Sequence, residues 1–95
     1  MAKRDGAILG FAALVLRFDG EIEIDGLFVK PDAWRQGIGH LLVDRSAQFA
    51  STHGSNGLHV VGNPHAVGFY AACGFENIVA LETRFGVGFL MRKRL

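Results

Sequence analysis

Leu27-Phe28-Val29-Lys30-Pro31-Asp32-Ala33-Trp34-Arg35-Gln36-Gly37-Ile38-Gly39-His40-Leu41-Leu42 is the stretch on which the fold turns. Its first three residues are apolar on both faces of a strand, and Lys30-Pro31-Asp32 closes that strand. From Ile38 the period changes: Ile38, Leu41, Leu42 and Phe49 share one helical stripe, while Asp44, Arg45 and Gln48 fall on a wetter side. A strand feeding a helix through Gly37-Ile38-Gly39 leaves unpaired backbone amides at the positive end of a helix dipole, which is a geometry for binding an anion, pyrophosphate above all. Glycine matters there because a Cβ would hold a phosphate away from the amides. Arg35 adds charge and Gln36 adds donors. The stretch has neither the third glycine of a dinucleotide fingerprint nor the Gly-Lys-Ser/Thr of a P-loop, so both of those readings fail. A plain tight turn between strand and helix stays open as the alternative.

Upstream, Ala7 to Leu16 is an unbroken apolar run between Asp5-Gly6 and Asp19-Gly20, the second pair being a hairpin signal. The run is ten residues long, too short to cross a bilayer, and no cleavage site follows it, so neither a membrane span nor a signal peptide is expected. Glu21 to Asp25 alternates strictly and puts Glu21, Glu23 and Asp25 on one face, with Gly26 marking a bulge or splay. Downstream, the helix should end before Gly54-Ser55-Asn56-Gly57, and Leu58 to Val61 should form a strand. Asn63-Pro64 reads as an N-cap with proline at the first helical position, opening a helix from His65 to Cys73 that Gly74 stops and Phe75 packs behind. Ile78 to Leu81 and Val87 to Met91 read as closing strands, with Arg92-Lys93-Arg94 as a polar tail. The expected order is ββαβαββ, an α/β domain with a mixed, mainly antiparallel sheet and two flanking helices.

The chain has 95 residues, which bounds it to a single domain over 1–95. Hydrophobic residues make up 49% of it and its mean hydropathy is +0.24, enough for a packed interior and against disorder. Ten basic residues against nine acidic ones leave a net charge of +1, which argues against a nucleic-acid partner. A single cysteine excludes an internal disulfide framework, and four scattered histidines offer no metal-ligand spacing, so no metal and a cytoplasmic location are expected.

Taken together, Leu27 to Leu42 and the later Asn63-Pro64-His65-Ala66-Val67-Gly68-Phe69-Tyr70-x-x-Cys73-Gly74-Phe75 resemble the GNAT N-acetyltransferase superfamily. The first motif is similar to that family's acyl-CoA loop, Arg/Gln-x-x-Gly-x-Gly/Ala, although Trp34 stands at the Arg/Gln position and Arg35 one place later. The second is similar to its Asn-x-x-Ala-x-x-Phe-Tyr-x-x-x-Gly-Phe helix. The resemblance begins near residue 7, and members usually carry a further strand and two helices before that point. It implies the acyl-CoA N-acyltransferase fold in a minimal form, with acetyl-CoA as cosubstrate and an amine as acceptor. The pyrophosphate would lie on the amides around Trp34, Arg35, Gln36, Gly37, Ile38, Gly39 and His40. The pantetheine arm would run beside Leu27, Phe28 and Val29, in a cleft between that strand and the Leu58–Val61 strand. Tyr70 matches the tyrosine that protonates the departing thiolate, against a plain helix tyrosine packed on Phe69 and Phe75. Asn63 either contacts the pantetheine or only caps its helix. Glu23 sits where some members place a general base, against a solvated strand face, and His59 is a second candidate acting through water. Cys73 reads as a small buried residue, so direct transfer in a ternary complex is preferred to an acyl-cysteine intermediate. A CoA-binding module without turnover is the alternative function, and a fragment that becomes complete only as a homodimer is a third reading.

Overall fold

The structure is a computed structural model that describes residues 2–4, 7–31 and 37–95. The Asp19-Gly20 pair reverses the chain as its composition demands: Arg17 N–H donates to the Glu21 carbonyl at 2.8 Å and Gly20 N–H to the Arg17 carbonyl at 3.1 Å. The Asp19 carboxylate accepts the Glu21 N–H at 3.0 Å and stiffens the loop from within. The turn joins β2 (Ala7–Leu16) to β3 (Ile22–Val29), and a short β1 (Ala2–Arg4) pairs antiparallel on the far side of β2. After β3 come α1 (Ile38–Thr52), β4 (Gly57–Gly62), α2 (Val67–Ala72), β5 (Glu76–Thr83) and β6 (Gly86–Arg94). The strands form one six-stranded sheet in the order β1-β2-β3-β4-β6-β5, antiparallel throughout except where β3 runs parallel to β4 across the α1 crossover.

The expected order ββαβαββ is therefore extended by one strand, β1, which three residues of mixed character did not announce. The strand limits differ more. The Arg92-Lys93-Arg94 tail is a continuation of β6, because Arg92 and Lys93 find partners on other elements: Arg92 pairs with Glu21, and Lys93 Nζ donates to the Cys73 carbonyl at 2.6 Å. A basic run looks solvated only while those partners are out of view. α2 is regular from Val67, two residues later than expected, after a turn at Asn63 to Ala66.

The core lies on one face of the sheet. Ile22, Ile24, Leu58, Val60 and Met91 point to it from the strands, Val43 and Ala50 from α1, and Tyr70 and Phe75 from α2 and its exit. Ser46, buried on α1, satisfies its hydroxyl by donating to the Leu42 carbonyl at 2.7 Å. A smaller cluster of Ile38 and Leu42 packs over Leu27 and Val29, seating the start of α1 on the end of β3. The opposite face carries Phe11, Val15, Phe28, Val61, Val79 and Leu81, all exposed.

Candidate active site

β3 and β4 stay together for only three rungs, Ile22↔Leu58, Glu23↔His59 and Ile24↔Val60. Beyond them β3 bulges. Ala13 on β2 faces Gly26 while Leu14 faces Ile24, so Asp25 is an extra residue with no partner across the ladder. β4, held on its other side by β6 as far as Gly62, continues straight. The two strands part where Gly26 led the sequence reading to expect it, and a cleft of about 950 Å³ lies beside the parted end. That volume suits a large cofactor or cosubstrate.

One wall of the cleft is Leu27, Phe28 and Val29 with Pro31. The floor is Gly37, Ile38, Gly39 and His40 at the start of α1, so six of the residues expected around a bound acyl carrier come together with Gly37. The other wall differs from the expected Leu58–Val61 strand: it is His65, Ala66 and Phe69, from the turn into α2 and from α2 itself. Phe69 enters the site only through tertiary packing, with its ring 5.0 Å from the His40 ring. A Cβ placed on Gly39 would stand 3.0 Å from Phe69 Cζ, so this glycine is what lets the helix mouth close against α2. Trp34, Arg35 and Gln36 lie outside the described residues.

The mouth of α1 has the features of an anion seat. Gly37 is left-handed, with φ 76° and ψ 8°, which turns the chain into the helix at a conformation that costs other residues about 1 kcal/mol or more. Its carbonyl accepts the Leu41 N–H at 3.0 Å. Among the described residues no side chain caps this end, and the first turn holds no acid. The amides that follow Gly37 therefore keep their unpaired donors toward the cleft end of the helix.

α2 is short and both its ends are tied. The Asn63 side-chain oxygen accepts the Ala66 N–H at 2.9 Å and closes the turn before α2, so Asn63 is not the helix N-cap expected from sequence: that position is Ala66, which has no side-chain cap. At the far end Gly74, with φ 95°, donates to the Ala71 carbonyl at 3.0 Å, and Phe75 N–H reaches back to the Tyr70 carbonyl at 3.0 Å. This is a Schellman ending, and its apolar contact is the Tyr70–Phe75 pair, with ring centroids 5.4 Å apart. Tyr70 is 7% exposed and packs edge-on to Phe69 as well, at 5.1 Å. Burial pushes its phenol above the ordinary range, which keeps the proton on oxygen at neutral pH.

The acidic face of β3 is less free than its alternation suggests. Glu23 accepts from Arg17 Nη1 at 2.7 Å. Glu21 accepts from Arg92 twice, at 3.0 Å from both Nε and Nη2, and its Oε1 lies 2.6 Å from His59 Nε2. Arg92 first and His59 second hold the Glu21 carboxyl down at about 2, against a smaller opposing effect of burial. Asp25 lies in the bulge and is exposed. His59 stands beside Glu23 on the next strand, is 5% exposed, and leaves a buried Nδ1 without a hydrogen-bond partner among the described residues. Glu23 and His59 thus meet at the second of the three rungs before the strands part, outside the cleft wall. The Glu21–His59–Arg92 set was missed from sequence because Glu21, just before β3, His59 on β4 and Arg92 on β6 are far apart along the chain.

Cys73 is half-buried, and its Sγ lies 3.4 Å from His40 Nδ1. Burial, aided by Asp44 and opposed by Lys93, pushes the thiol up, away from the thiolate that a covalent nucleophile needs. Among the described residues no helix is long and apolar enough to cross a membrane, and no group of His, Cys, Asp and Glu is placed to hold a metal ion.

The same arrangement of strands and helices recurs in solved structures. The chain superposes on an IAA acetyltransferase from Bacillus cereus ATCC 14579 with a TM-score of 0.91 and 19% identity, over 98% of its own length and 74% of that chain. Against a GNAT family acetyltransferase from Elizabethkingia anophelis with acetyl-CoA bound, the TM-score is 0.88 and the identity 20%, over 98% of this chain and 72% of that one. The ribosomal-protein-S18-alanine N-acetyltransferase from Escherichia coli gives 0.80 and 23%, over 97% and 64%. The chain spans between 58% and 74% of the lengths of the solved structures it matches in this way. No curated protein matches its sequence. At the level of sequence, the profile of the Acetyltransferase (GNAT) family matches residues 1–75, through both the Gly-x-Gly loop and the Asn63–Phe75 helix motif. With that match and a sheet that parts where an acyl carrier would enter, the chain belongs to the GNAT acetyltransferase family.

Proposed function

We propose that the chain transfers an acetyl group from acetyl-CoA to an amine by direct attack in a ternary complex. One observation carries this: the uncapped mouth of α1 and the parted end of β3 belong to a single cleft, so one elongated molecule can lay an anion on the first and an extended amide-bearing arm along the second. Gly37, Ile38, Gly39 and His40 hold the pyrophosphate, together with Trp34, Arg35 and Gln36 of the loop before them. Leu27, Phe28 and Val29 receive the pantetheine, and Asn63 shapes the opposite rim by capping its turn.

The acetyl-CoA thioester supplies an activated carbonyl. An amine adds to its carbon, and the tetrahedral intermediate expels the thiolate as the C–S bond breaks. Tyr70 donates the proton that the thiolate takes, a task suited to a phenol held protonated by burial. Glu23 removes the amine's proton, and for this the carboxylate must exchange part of its bond to Arg17 for the incoming amine. Holding amine and thioester together supplies much of the acceleration. The pairing of Glu23 with Arg17 and the packed position of Tyr70 favour a second reading, a CoA-binding module of the same fold that does not turn over.

A thiol-release assay with acetyl-CoA and a panel of amines separates the two. Turnover with at least one amine, reduced about 100-fold in Tyr70→Phe with CoA affinity kept within about twofold, supports transfer. CoA binding by calorimetry with no thiol released from any amine supports the module. Loss of both overturns the family-based assignment of the cleft.

A further inference from the structure

His40 is the third residue of α1, exposed, and on the floor of the cleft. An exposed imidazole ordinarily turns freely about its last torsion, yet this ring is held twice. The Phe69 ring meets it edge-on at 5.0 Å, and its Nδ1 lies 3.4 Å from Cys73 Sγ. Cys73 does not line the cleft, and its main chain is tied on both sides. Its N–H donates to the Phe69 and Tyr70 carbonyls at 3.1 and 3.0 Å, and its carbonyl accepts from Lys93 Nζ at 2.6 Å. The thiol is therefore a fixed point behind a movable ring. Burial keeps the proton on that sulfur, and thiol sulfur is a weak acceptor, so the S–H donates and Nδ1 accepts. A neutral imidazole that accepts at Nδ1 carries its proton on Nε2. Among the described residues Nε2 has no hydrogen-bond partner.

We infer that Cys73 is a positioning residue for the acyl carrier: it holds the His40 ring so that Nε2–H donates to the diphosphate lying on the mouth of α1. This role rests on the CoA reading of the cleft and adds to it a residue from outside the cleft wall. The amides after Gly37 offer an anion fixed donors, but a side-chain donor contributes fully only if its rotation is restricted before the ligand arrives. The Cys73 contact supplies that restriction. A cysteine that merely fills space behind α2 would leave its thiol proton without a role, and protonation of His40 separates the two cases. Once the ring takes a second proton both nitrogens donate, Nδ1 no longer accepts from the thiol, and Cys73 ceases to orient it. The titratable groups around the pair are Asp44 on α1, Tyr70 on α2, Lys93 on β6 and His65 on the facing wall. Substitution of Cys73 leaves all four in place. Their titration, and that of CoA's own phosphates, divides out when variant and parent are compared at one pH.

Titration calorimetry with CoA at about pH 8 and about pH 5.5, on either side of the ordinary histidine range, tests this. Cys73→Ala should weaken CoA binding about fivefold at the higher pH and less than about twofold at the lower. Cys73→Ser, which keeps a proton to donate, should bind within about twofold of the parent at both. In a His40→Phe background the ring stays against Phe69 but has no nitrogen, and there Cys73→Ala should change the affinity by less than about 1.5-fold. Nitrogen-15 spectra of the unliganded parent at the higher pH should show His40 with a bare Nδ1 and a protonated Nε2. A Cys73→Ala deficit that is equal at both pH values, or undiminished in the His40→Phe background, overturns the inference. So does a parent chain whose His40 carries its proton on Nδ1. A parent that binds no CoA overturns the reading of the cleft as well, whereas CoA bound equally by parent and Cys73→Ala removes the role of Cys73 alone.

Discussion

Tyr70 carries two demands at once: its ring fills the joint between Phe69, Phe75 and the sheet, and its hydroxyl is the proposed acid. Tyr70→Phe keeps the first and removes the second, which is why it is the informative change. Its melting temperature should stay within about 3 °C of the parent while turnover falls. Gly39 poses the opposite case, being a residue whose absence of side chain is the point. Gly39→Ala places a methyl against Phe69, and CoA affinity should fall about tenfold by titration calorimetry with a spectrum like the parent's. Motif spacing picked out Tyr70, Gly37 and Gly39 from sequence, because backbone geometry ties them to local neighbours. It could not find Phe69, whose role depends on α2 leaning against the mouth of α1. Nor could it see that Glu23 is held by Arg17, since alternation gives the face of a side chain and not its partner.

At the scale of elements, the Glu21–Arg92 pair ties the turn that enters β3 to β6 across β4. Its carboxyl, ordinarily near 4.5, is held at about 2 in the fold, so ionised Glu21 stabilises the native state above about 4.5 and that contribution is lost as the pH falls toward about 2. Glu21→Gln should flatten the acid limb of a urea-midpoint profile taken from pH 7 to 2.5 and lower stability at pH 7 by about 1–2 kcal/mol. Gly57 makes room for this bridge, since a Cβ there would run into both the Glu21 carboxylate and the Arg92 guanidinium. Gly57→Ala should therefore copy the flattened acid limb without touching either charge. The sequence located β2, β3 and α1 closely, and the Gly74 stop of α2 as well, because turn chemistry and period are local. It shortened β5 and β6, whose outer residues are polar or exposed and are strand only because a neighbour pairs with them.

For the whole molecule, Leu58 is the test of the core. It is fully buried on β4, between the α1 and α2 contributions. Leu58→Ala should cost about 3 kcal/mol and lower the melting temperature by more than 10 °C, a large share of the 5–15 kcal/mol available to a small domain. The α/β class was legible from hydrophobic period. The exposure of Phe11, Val15, Phe28, Val61, Val79 and Leu81 on the second face was not, because apolar positions on both sides of a strand look the same whether a helix, a second sheet or water lies beyond them.

The extra residue at Asp25 does more than separate two strands. Ile22 and Ile24, which face the core, have even numbers, whereas Leu27 and Val29, which pack under Ile38 and Leu42, have odd ones. The bulge switches the parity of β3 in mid-strand. Removing Asp25 would restore a regular ladder with Ile24, Gly26 and Leu27 opposite Leu14, Ala13 and Ala12, and would leave Leu27 and Val29 under α1 and Phe28 on the other face. A single-residue deletion at this point would then take away the kink at which β3 leaves β4, and with it the opening of the cleft, while every side chain in the strand kept its face.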